Sequence, residues 1–427
     1  MHRDVVSQSL ADWLERIERI HPRAIEMGLS RVSQVRDAMG LSLSCPVITV
    51  GGTNGKGSVC ALLESMLGAA AHRVGLYTSP HLVRYNERVR IGGREADDDA
   101  LIGAFERVDA ARGSVPLTYF EFGTLAAVDL FSRAAVDVAV LEVGLGGRLD
   151  AVNAFDPDCA VVASVGIDHT EYLGSTRDSI GREKAGIFRA DRPAICGDED
   201  PPGSLTRHAR DIGADLRVIA RDFGYRTDSP VQWQYWSGAG RKAALPYPAL
   251  RGEFQLANAS TALAALEAVR ERLPVDMGAV RRGLLEVMLP GRFQVLPGRP
   301  QVVLDVAHNP QAAARLAQTL AAMPRAPATL AVFGMLADKD IAAVAEALRP
   351  VVDQWIICPL DSPRSAGIPA LREALAGAGV AAAAISAADS VTAALRMARD
   401  RACQDDRILA FGSFYTVSGV LQATHPR

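Results

Sequence analysis

The segment VITVGGTNGKGSVCALLESML, residues 48–68, decides the fold class of this chain of 427 residues. It opens with a β-branched apolar run and continues into a turn that contains Gly51, Gly52 and Gly55. After the turn, apolar residues recur on one face of a helix, at Val59, Leu62, Leu63, Met66 and Leu67. A strand, a glycine-rich turn and a helix in this order present backbone N–H groups to an anion. The segment therefore predicts a phosphate-binding loop, the alternative being a glycine-rich turn with an exposed lysine.

The lysine of this loop is followed by an unexpected residue. A phosphate-binding loop normally continues with Ser or Thr, whose hydroxyl holds Mg²⁺. Here Gly57 follows Lys56, and the hydroxyl of Ser58 comes one position later. We therefore expect Lys56 to reach the terminal phosphates of a nucleotide and residues further along the chain to hold the metal.

The composition excludes several classes of partner. The 46 basic and 49 acidic residues nearly balance, so nothing predicts a nucleic-acid or membrane surface. The six cysteines are scattered without a CxxC pair, as is typical of reduced thiols in the cytosol. The first twenty residues are charged throughout, and no apolar run reaches the roughly 18 residues of a membrane-spanning helix. We expect a soluble cytoplasmic protein.

Strand patterns recur in two series, separated by helical patterns. The second series begins near residue 300, and the first contains the apolar runs 46–50, 74–79, 136–144 and 159–166. Continuous β-branched runs are typical of parallel sheets covered by helices. We predict two α/β domains, 1–289 and 299–427, joined by a hinge at 290–298 that is rich in Pro and Gly. The less regular stretch 200–250, with Trp233, Tyr235 and Trp236, is expected to be a β-rich insertion.

Three residues at strand ends are candidate metal ligands. Mg²⁺ prefers hard oxygen ligands, and in doubly wound sheets these lie at the carboxyl ends of strands. Ser79 closes the segment VGLYTS, Glu142 closes VAVLE, and His169 follows AVVASVGID. Taken singly, each has another explanation: a turn serine before proline, a satisfied carboxylate, or a packed imidazole. Their placement after three successive strands favours a shared site.

Longer motifs carry a specific resemblance. The chain resembles the folylpolyglutamate synthase/dihydrofolate synthase family, which is similar to the Mur ligases of peptidoglycan synthesis, in the motifs GTNGKGS, YTSPHLVRYNERVRI, LTYFEFGT, LEVGLGGRLDAVN, DHTEYLG, IGREKAGIF, LPGRF, DVAHNP and GMLADKD. These motifs occur in family order and extend over nearly the whole chain. The resemblance implies a P-loop NTPase-like N-terminal domain and a smaller, Rossmann-like α/β C-terminal domain.

The resemblance also assigns site residues. It implies one Mg²⁺ on Ser79 and Glu142, and a second on Glu142, His169 and Lys184, the lysine carrying a carbamate. Without the resemblance, Lys184 would be interpreted as an exposed helix lysine beside Glu183. The implied ATP contacts are Thr53, Asn54, Gly55, Lys56, Gly57, Ser58, Asn258, Arg292 and Asp305. The implied dihydropteroate contacts are Thr118, Tyr119, Phe120, Glu121, Leu149, Asp150 and Ala151, and the implied glutamate contacts are His308 and Ser413.

The implied activity is an ATP-dependent ligation. L-Glutamate would be added to 7,8-dihydropteroate and to reduced folates through an acyl phosphate, with Lys56, Lys184 and His169 as catalytic residues. Nothing in the sequence gives the oligomeric state, and we expect a monomer. Tyr119, Phe120 and Phe122 could face the pterin, but we expect at least two of them to pack in the core. The alternatives are a monofunctional folylpolyglutamate synthase, a ligase acting on nucleotide-sugar peptides, and a P-loop kinase or regulatory ATPase.

Overall fold

A computed structural model describes residues 9–23 and 25–424. The remaining residues of the predicted domains, 1–8, 24 and 425–427, lie outside the described part. The chain forms two compact units. The first comprises the described residues up to 81 together with 85–248 and 257–287, and the second comprises 82–84, 249–256 and the described residues from 288 onward. The chain therefore enters the second unit three times, whereas the sequence predicts two continuous domains. The predicted domain limits stay a prediction.

The first unit is built on a large sheet. Its strands are β1 (Val47–Gly51), β2 (Val74–Tyr77), β3 (Val89–Ile91), β4 (Arg94–Glu95), β5 (Val138–Glu142), β6 (Cys159–Val162), β7 (Pro193–Cys196) and β8 (Asp215–Val218). The strand order among the described residues is β4-β3-β2-β5-β1-β6-β7-β8. Neighbouring strands in the part β2-β5-β1-β6-β7-β8 pair in parallel. The pairs β2–β3 and β3–β4 are antiparallel. The four strand patterns of the first series are thus confirmed as the centre of this sheet.

Helices surround this sheet. They are α1 (Leu10–Ile20), α2 (Ser30–Met39), α3 (Lys56–Ala69), α4 (Asp98–Arg112), α5 (Tyr119–Arg133), α6 (Thr170–Leu173), α7 (Arg177–Ala185), α8 (Gly203–Ile212), α9 (Phe254–Ala268) and α10 (Met277–Glu286), with 3₁₀ turns at Tyr85–Arg88 and Ala151–Ala154. The first three residues of α9 belong to the second unit. An apolar core cluster of the first unit contains Trp13, Phe105, Phe122 and Phe131.

The stretch 200–250 is only partly an insertion. Its first part is regular, because α8 and β8 continue the alternation of helix and parallel strand. The antiparallel strands β9 (Phe223–Thr227), β10 (Gln232–Ser237) and β11 (Gly240–Pro246) then form a separate small sheet. Trp233 and Tyr235 are fully buried there, which explains the cluster of aromatic residues in the sequence.

The helix after the phosphate loop is covered on more than one side. The sequence predicts a single apolar face for α3, but α10 packs against it as well. The Oγ of Ser65 donates a hydrogen bond to the Gly283 carbonyl oxygen at 2.8 Å. A Cβ atom at position 283 would lie 2.6 Å from the Cα of Met66. The one-faced prediction was therefore incomplete, and glycine allows the two backbones to approach.

We expect Gly283→Ala to lower the free energy of unfolding by about 1–3 kcal/mol, because the added methyl group overpacks the contact of α10 with α3. Denaturant unfolding measures the change. Gly68→Ala is the matched control, since a Cβ on Gly68, near the end of α3, meets no atom within 4 Å. A Gly283→Ala protein as stable as the control variant would contradict the close packing.

The second unit is built on its own sheet. Its strands are β12 (Gln294–Leu296), β13 (Gln301–Leu304), β14 (Thr329–Phe333), β15 (Gln354–Ile357), β16 (Ile385–Ala387) and β17 (Arg407–Phe411), in the order β12-β13-β17-β14-β15-β16. Its helices are α11 (Pro310–Ala321), α12 (Ile341–Leu348), α13 (Ile368–Gly377), α14 (Val391–Arg401) and α15 (Phe414–Thr424), with 3₁₀ turns at Arg349–Val351 and Ala382–Ala384. All strand pairings except that of β12 with β13 are parallel.

The predicted hinge is not a plain linker. Residues 294–296 form β12, which pairs antiparallel with β13 so that Gln294 lies opposite Leu304. The strand was not predicted from the sequence, because it has only three residues and the prolines and glycines on either side are typical of a linker. No helix among the described residues is both long enough and apolar enough to cross a membrane.

Candidate active site

The phosphate loop lies at the centre of the large sheet. Strand β1 ends at Gly51 between β5 and β6, and α3 begins at Lys56. Gly55 precedes the helix in a left-handed conformation with φ 89°. A Cβ there would lie 2.6 Å from the Oδ1 of Asn258. The loop therefore requires glycine, and the structure brings the predicted ATP residue Asn258 against it.

The segment after β6 supports the loop. The Thr53 and Asn54 N–H groups donate to the carbonyl oxygen and the Oγ of Ser164 at 2.8 and 3.1 Å. The Ser164 hydroxyl donates in turn to the Asn54 carbonyl oxygen at 2.9 Å. The Thr53 hydroxyl exchanges two hydrogen bonds with the backbone of Gly166, at 3.0 and 2.9 Å. Sequence reasoning missed Ser164, although its position after a buried strand could have indicated it.

The side chain of Lys56 folds back over its own loop. Its Nζ donates to the carbonyl oxygens of Gly52 and Thr53 at 3.1 and 3.3 Å. The ammonium group is therefore held against the carbonyl oxygens of its own loop. Of the other loop residues, Gly57 is half-buried and Ser58 is buried in the first turn of α3.

Two of the predicted metal ligands are in contact. Glu142 ends β5 and is almost completely buried. The backbone N–H of Ser79, which follows β2, donates to Glu142 Oε2 at 3.1 Å. His169 has a left-handed backbone with φ 51°, and its N–H donates to the Asp168 carboxylate at 2.8 Å. Such a conformation is uncommon for residues other than glycine and often occurs at functional sites.

The donor types fit a hard divalent cation. A buried carboxylate, a serine and an imidazole are available on Glu142, Ser79 and His169. No group of three His, Cys, Asp or Glu side chains suited to a metal occurs within 9–23 and 25–424. The predicted set contains only two residues of those types, Glu142 and His169, and would not form such a group. The ligand set stays a prediction.

Lys184 is a buried lysine. It lies in the last turn of α7 with only 3% of its surface exposed, so its interpretation as an exposed helix lysine is wrong. Burial and, to a smaller extent, the charge of Lys56 lower the pKa of Lys184 to about 7, although Asp168 and Asp150 oppose the shift. A larger fraction of the amine is therefore neutral near pH 7, and the neutral form is the one that reacts with CO₂ to give a carbamate.

We expect Lys184→Ala to lose most activity and to regain part of it when a short carboxylate such as acetate is added. The added carboxylate would replace the negative group that the carbamate supplies. Incubation of the wild-type protein with ¹³C-bicarbonate should give a carbamate resonance in ¹³C NMR that Lys184→Ala lacks. An active alanine variant and no carbamate resonance in the wild type would contradict the assignment.

The first predicted dihydropteroate segment begins α5. The side chains of Thr118 and Glu121 form a reciprocal capping box, at 2.8 and 3.2 Å. Arg31 also binds Glu121, at 3.1 Å. Both side chains therefore fix the start of the helix. The same sequence pattern is compatible with helix capping and with ligand binding. Phe122 is fully buried, whereas Tyr119 and Phe120 are half-buried and pack against the core. Only one of the three aromatic residues is thus fully in the core.

The second predicted dihydropteroate segment is organised by Asp150. Its carboxylate accepts hydrogen bonds from the Leu145 and Val152 N–H groups at 2.8 and 3.1 Å. Burial raises the pKa of Asp150 to about 7, and these N–H groups oppose the rise. Ala151 is buried and Leu149 half-buried. The Leu149 carbonyl oxygen accepts a hydrogen bond from the Gly28 N–H at 3.2 Å, so the segment before α2 lies beside this loop. Sequence reasoning did not identify that segment as part of the site.

The second unit brings the remaining candidates around Phe414. The guanidinium of Arg292 lies 5.0 Å from the Phe414 ring centre, and the His308 ring lies 6.3 Å from it. Ser413 is the preceding residue and is buried. Residues predicted to bind ATP and glutamate are therefore neighbours within this unit.

Asp305 holds the turn that carries Arg292. Its two carboxylate oxygens accept from the Phe293 and Ala307 N–H groups, both at 2.8 Å. Burial raises the pKa of Asp305, and the Arg292 guanidinium opposes that shift. The carboxylate thus fixes the backbone beside Arg292, and its predicted contact with ATP stays a prediction.

Comparisons with known proteins agree with this arrangement. The model of the Mur ligase middle domain matches residues 50–266, and that of the Mur ligase glutamate ligase domain matches 291–414. The dihydrofolate synthase/folylpolyglutamate synthase of Escherichia coli (strain K12) is 45% identical over 419 residues, covering 98% of this chain and 96% of that protein. The chain belongs to the dihydrofolate synthase/folylpolyglutamate synthase family.

Solved structures of the same family superimpose over nearly the whole chain. E. coli FolC in complex with DHPP and ADP is 45% identical, with a TM-score of 0.93 and 98% of each chain covered. A bifunctional folylpolyglutamate synthase/dihydrofolate synthase with Mn, AMPPNP and L-glutamate bound is 43% identical, with a TM-score of 0.91 and 98% of each chain covered. The resemblance and the fold class expected from the motifs are confirmed, and the protein is an ATP-dependent ligase of the Mur ligase type.

Proposed function

We propose that this ligase adds L-glutamate to 7,8-dihydropteroate, giving dihydrofolate, and to reduced folates, giving folylpolyglutamates. The observation that carries the proposal is a phosphate loop in which Gly57, instead of Ser or Thr, follows Lys56, together with the contact between the half-buried Ser79 and the buried Glu142. That combination belongs to this family's motifs. Two relatives bind the expected kinds of molecule, one DHPP and ADP and the other Mn, AMPPNP and L-glutamate.

The chemistry requires activation of a carboxylate, because forming an amide from a carboxylate and an amine in water is uphill. A carboxylate oxygen of the acceptor attacks the γ-phosphorus of ATP, the bond to the bridging oxygen breaks, and ADP leaves. The glutamate amine then attacks the acyl phosphate carbon, loses a proton, and phosphate leaves with the electrons of the C–O bond. Lys56 would stabilise the charge that develops between the β- and γ-phosphates.

Two Mg²⁺ ions would be held by Ser79, Glu142 and His169, with Lys184 contributing as a carbamate. When bound, Mg²⁺ supplies charge stabilisation on the phosphate oxygens. The protein itself positions the side chains that would bind the metal ions. Glu142 is the last residue of β5, and its carboxylate is held by a hydrogen bond of 3.1 Å from the Ser79 N–H.

One site would serve both acceptors. The described residues contain a single phosphate loop of this kind, and both reactions join a carboxylate to the same amine. A pocket formed by the segments around Thr118 and Asp150 would seat either the benzoate carboxyl or the γ-carboxyl of a bound glutamate. His308 and Ser413 would contact the incoming glutamate. The monomeric state and the cytoplasmic location also remain proposals.

Competition between the acceptors tests the shared site. ADP release is measured with 7,8-dihydropteroate and with a reduced folate, first separately and then together. We expect each acceptor to inhibit turnover of the other, and Lys56→Ala to lower both activities together. Turnover of the reduced folate alone would instead make this a monofunctional folylpolyglutamate synthase.

A further inference from the structure

An ion pair outside the predicted catalytic set holds the segment that supports the phosphate loop. Asp198 follows β7, and its side chain is only 10% exposed. Its Oδ2 accepts a hydrogen bond from the backbone N–H of Val165 at 2.7 Å. Val165 lies just after β6, in the stretch that leads to Asp168 and His169.

Arg177 binds the same residue from its carbonyl side. This first residue of α7 donates from Nε to the Val165 carbonyl oxygen at 3.1 Å. Its Nη2 donates to Asp198 Oδ1 at 3.1 Å and to the Asp200 carbonyl oxygen at 2.7 Å. Its Nη1 contacts the Asp200 carboxylate at 2.9 Å. Both polar backbone groups of Val165 are therefore engaged by one charged pair, Arg177–Asp198.

The two neighbours of Val165 face the phosphate loop instead. Ser164 exchanges hydrogen bonds with Asn54, and Gly166 exchanges them with the Thr53 hydroxyl. The backbone 164–166 is thus fixed by the loop at its ends and by the Arg177–Asp198 pair in the middle. A shift of Val165 would be passed to both contacts of the loop, because they lie on adjacent residues.

We propose that Arg177 and Asp198 are positioning residues for the phosphate loop and act through Val165. The proposal rests on the proposed function, since it assumes that this loop binds ATP. Neither residue has been placed in contact with substrate, and both act by fixing the backbone that orients Thr53 and Asn54. Outer partners of this kind typically change affinity or activity by about 10–100-fold when they are removed.

The test separates the role of Asp198 as a hydrogen-bond acceptor from the role of its negative charge. Asp198→Ala removes the acceptor for the Val165 N–H and the partner of Arg177, whereas Asp198→Asn keeps an amide oxygen as acceptor and loses the charge. We expect the Kd of AMPPNP, measured by calorimetry, to rise about tenfold in the alanine variant and less in the asparagine variant. The KM for ATP should rise with it, while the KM for L-glutamate should stay unchanged.

Asp158 provides a matched control at the amino ends of the strands, opposite the phosphate loop. Its carboxylate accepts the backbone N–H of Val47, at the start of β1, at 2.9 Å. It also pairs with Arg192 at 3.0 Å and with Arg272 at 2.8 Å. Asp158→Ala and Asp158→Asn make the same chemical changes far along β1 from the loop. They should lower the melting temperature without changing AMPPNP binding.

The outcomes distinguish this proposal from the proposed function. Wild-type AMPPNP affinity in a folded Asp198→Ala protein, or equal losses in the Asp158 and Asp198 series, would overturn the positioning role. If Asp198→Ala does not fold, Asp198→Asn and Arg177→Lys decide the matter by the same comparison. ADP release by the wild-type enzyme that does not depend on L-glutamate would instead refute the proposed function, whatever the variants do.

Discussion

Replacing Lys56 with alanine is expected to lower turnover by on the order of 10²-fold or more while the fold stays intact. The Nζ lies over the phosphate loop, where it donates to the carbonyl oxygens of Gly52 and Thr53. Without the ammonium, the negative charge that grows between the β- and γ-phosphates loses a cation that the protein supplies. The loss should appear mainly in kcat, because that charge develops in the transition state.

Steady-state kinetics with both acceptors measures this effect, and circular dichroism checks the fold. Lys242→Ala is the matched control, because Lys242 lies in the small antiparallel sheet and forms an ion pair with Glu267 of α9. We expect the control to lose some stability and to keep its turnover. A folded Lys56→Ala protein with wild-type turnover would refute the assignment of the nucleotide site.

The second large effect is expected for Glu142→Gln. Glutamine keeps the shape of the side chain and an oxygen that can accept the Ser79 N–H, which is bound at 3.1 Å in the wild type. It removes the negative charge that is proposed to serve both metal ions. Turnover should fall, and the Mg²⁺ concentration for half-maximal activity should rise. His169→Ala should show the same change to a smaller extent, because it removes a ligand of one ion only.

A Mg²⁺ titration of activity measures this prediction. Glu64→Gln is the control, because Glu64 is also a shielded carboxylate of the first unit but pairs with Arg90 at 3.0 Å. Its Mg²⁺ dependence should match the wild type. Unchanged titrations for both Glu142→Gln and His169→Ala would rule out the proposed ligand set.

The phosphate loop and the contact between Ser79 and Glu142 could be predicted, because local sequence patterns and the geometry of parallel sheets determine them. The strand, turn and helix of residues 48–68 each have a local signal, and the structure has β1, the loop and α3 there. Parallel strands align their carboxyl ends, and β2 and β5 are neighbours in the sheet, so residues at these two strand ends lie close together. The contact between Ser79 and Glu142, 63 residues apart, is the result.

The rest of the site depends on contacts without a local signal. Ser164 supports Asn54 from 110 positions away, and Asp198 binds Val165 from the neighbouring strand, so neither is marked by its own segment. Thr118 and Glu121 carry a pattern that ligand binding and helix capping share. In the second unit, β12 is three residues long and its flanking prolines and glycines have the composition of a linker.

The dependence of ADP release on L-glutamate tests the central claim most directly. The wild-type protein is incubated with ATP, Mg²⁺ and 7,8-dihydropteroate, with and without L-glutamate, and ADP and dihydrofolate are both quantified. We predict sustained release of ADP only when glutamate is present, with one dihydrofolate formed for each ADP. ADP release at the same rate without glutamate, or turnover only with a UDP-muramoyl acceptor, would contradict the assignment of this chain as a folate ligase.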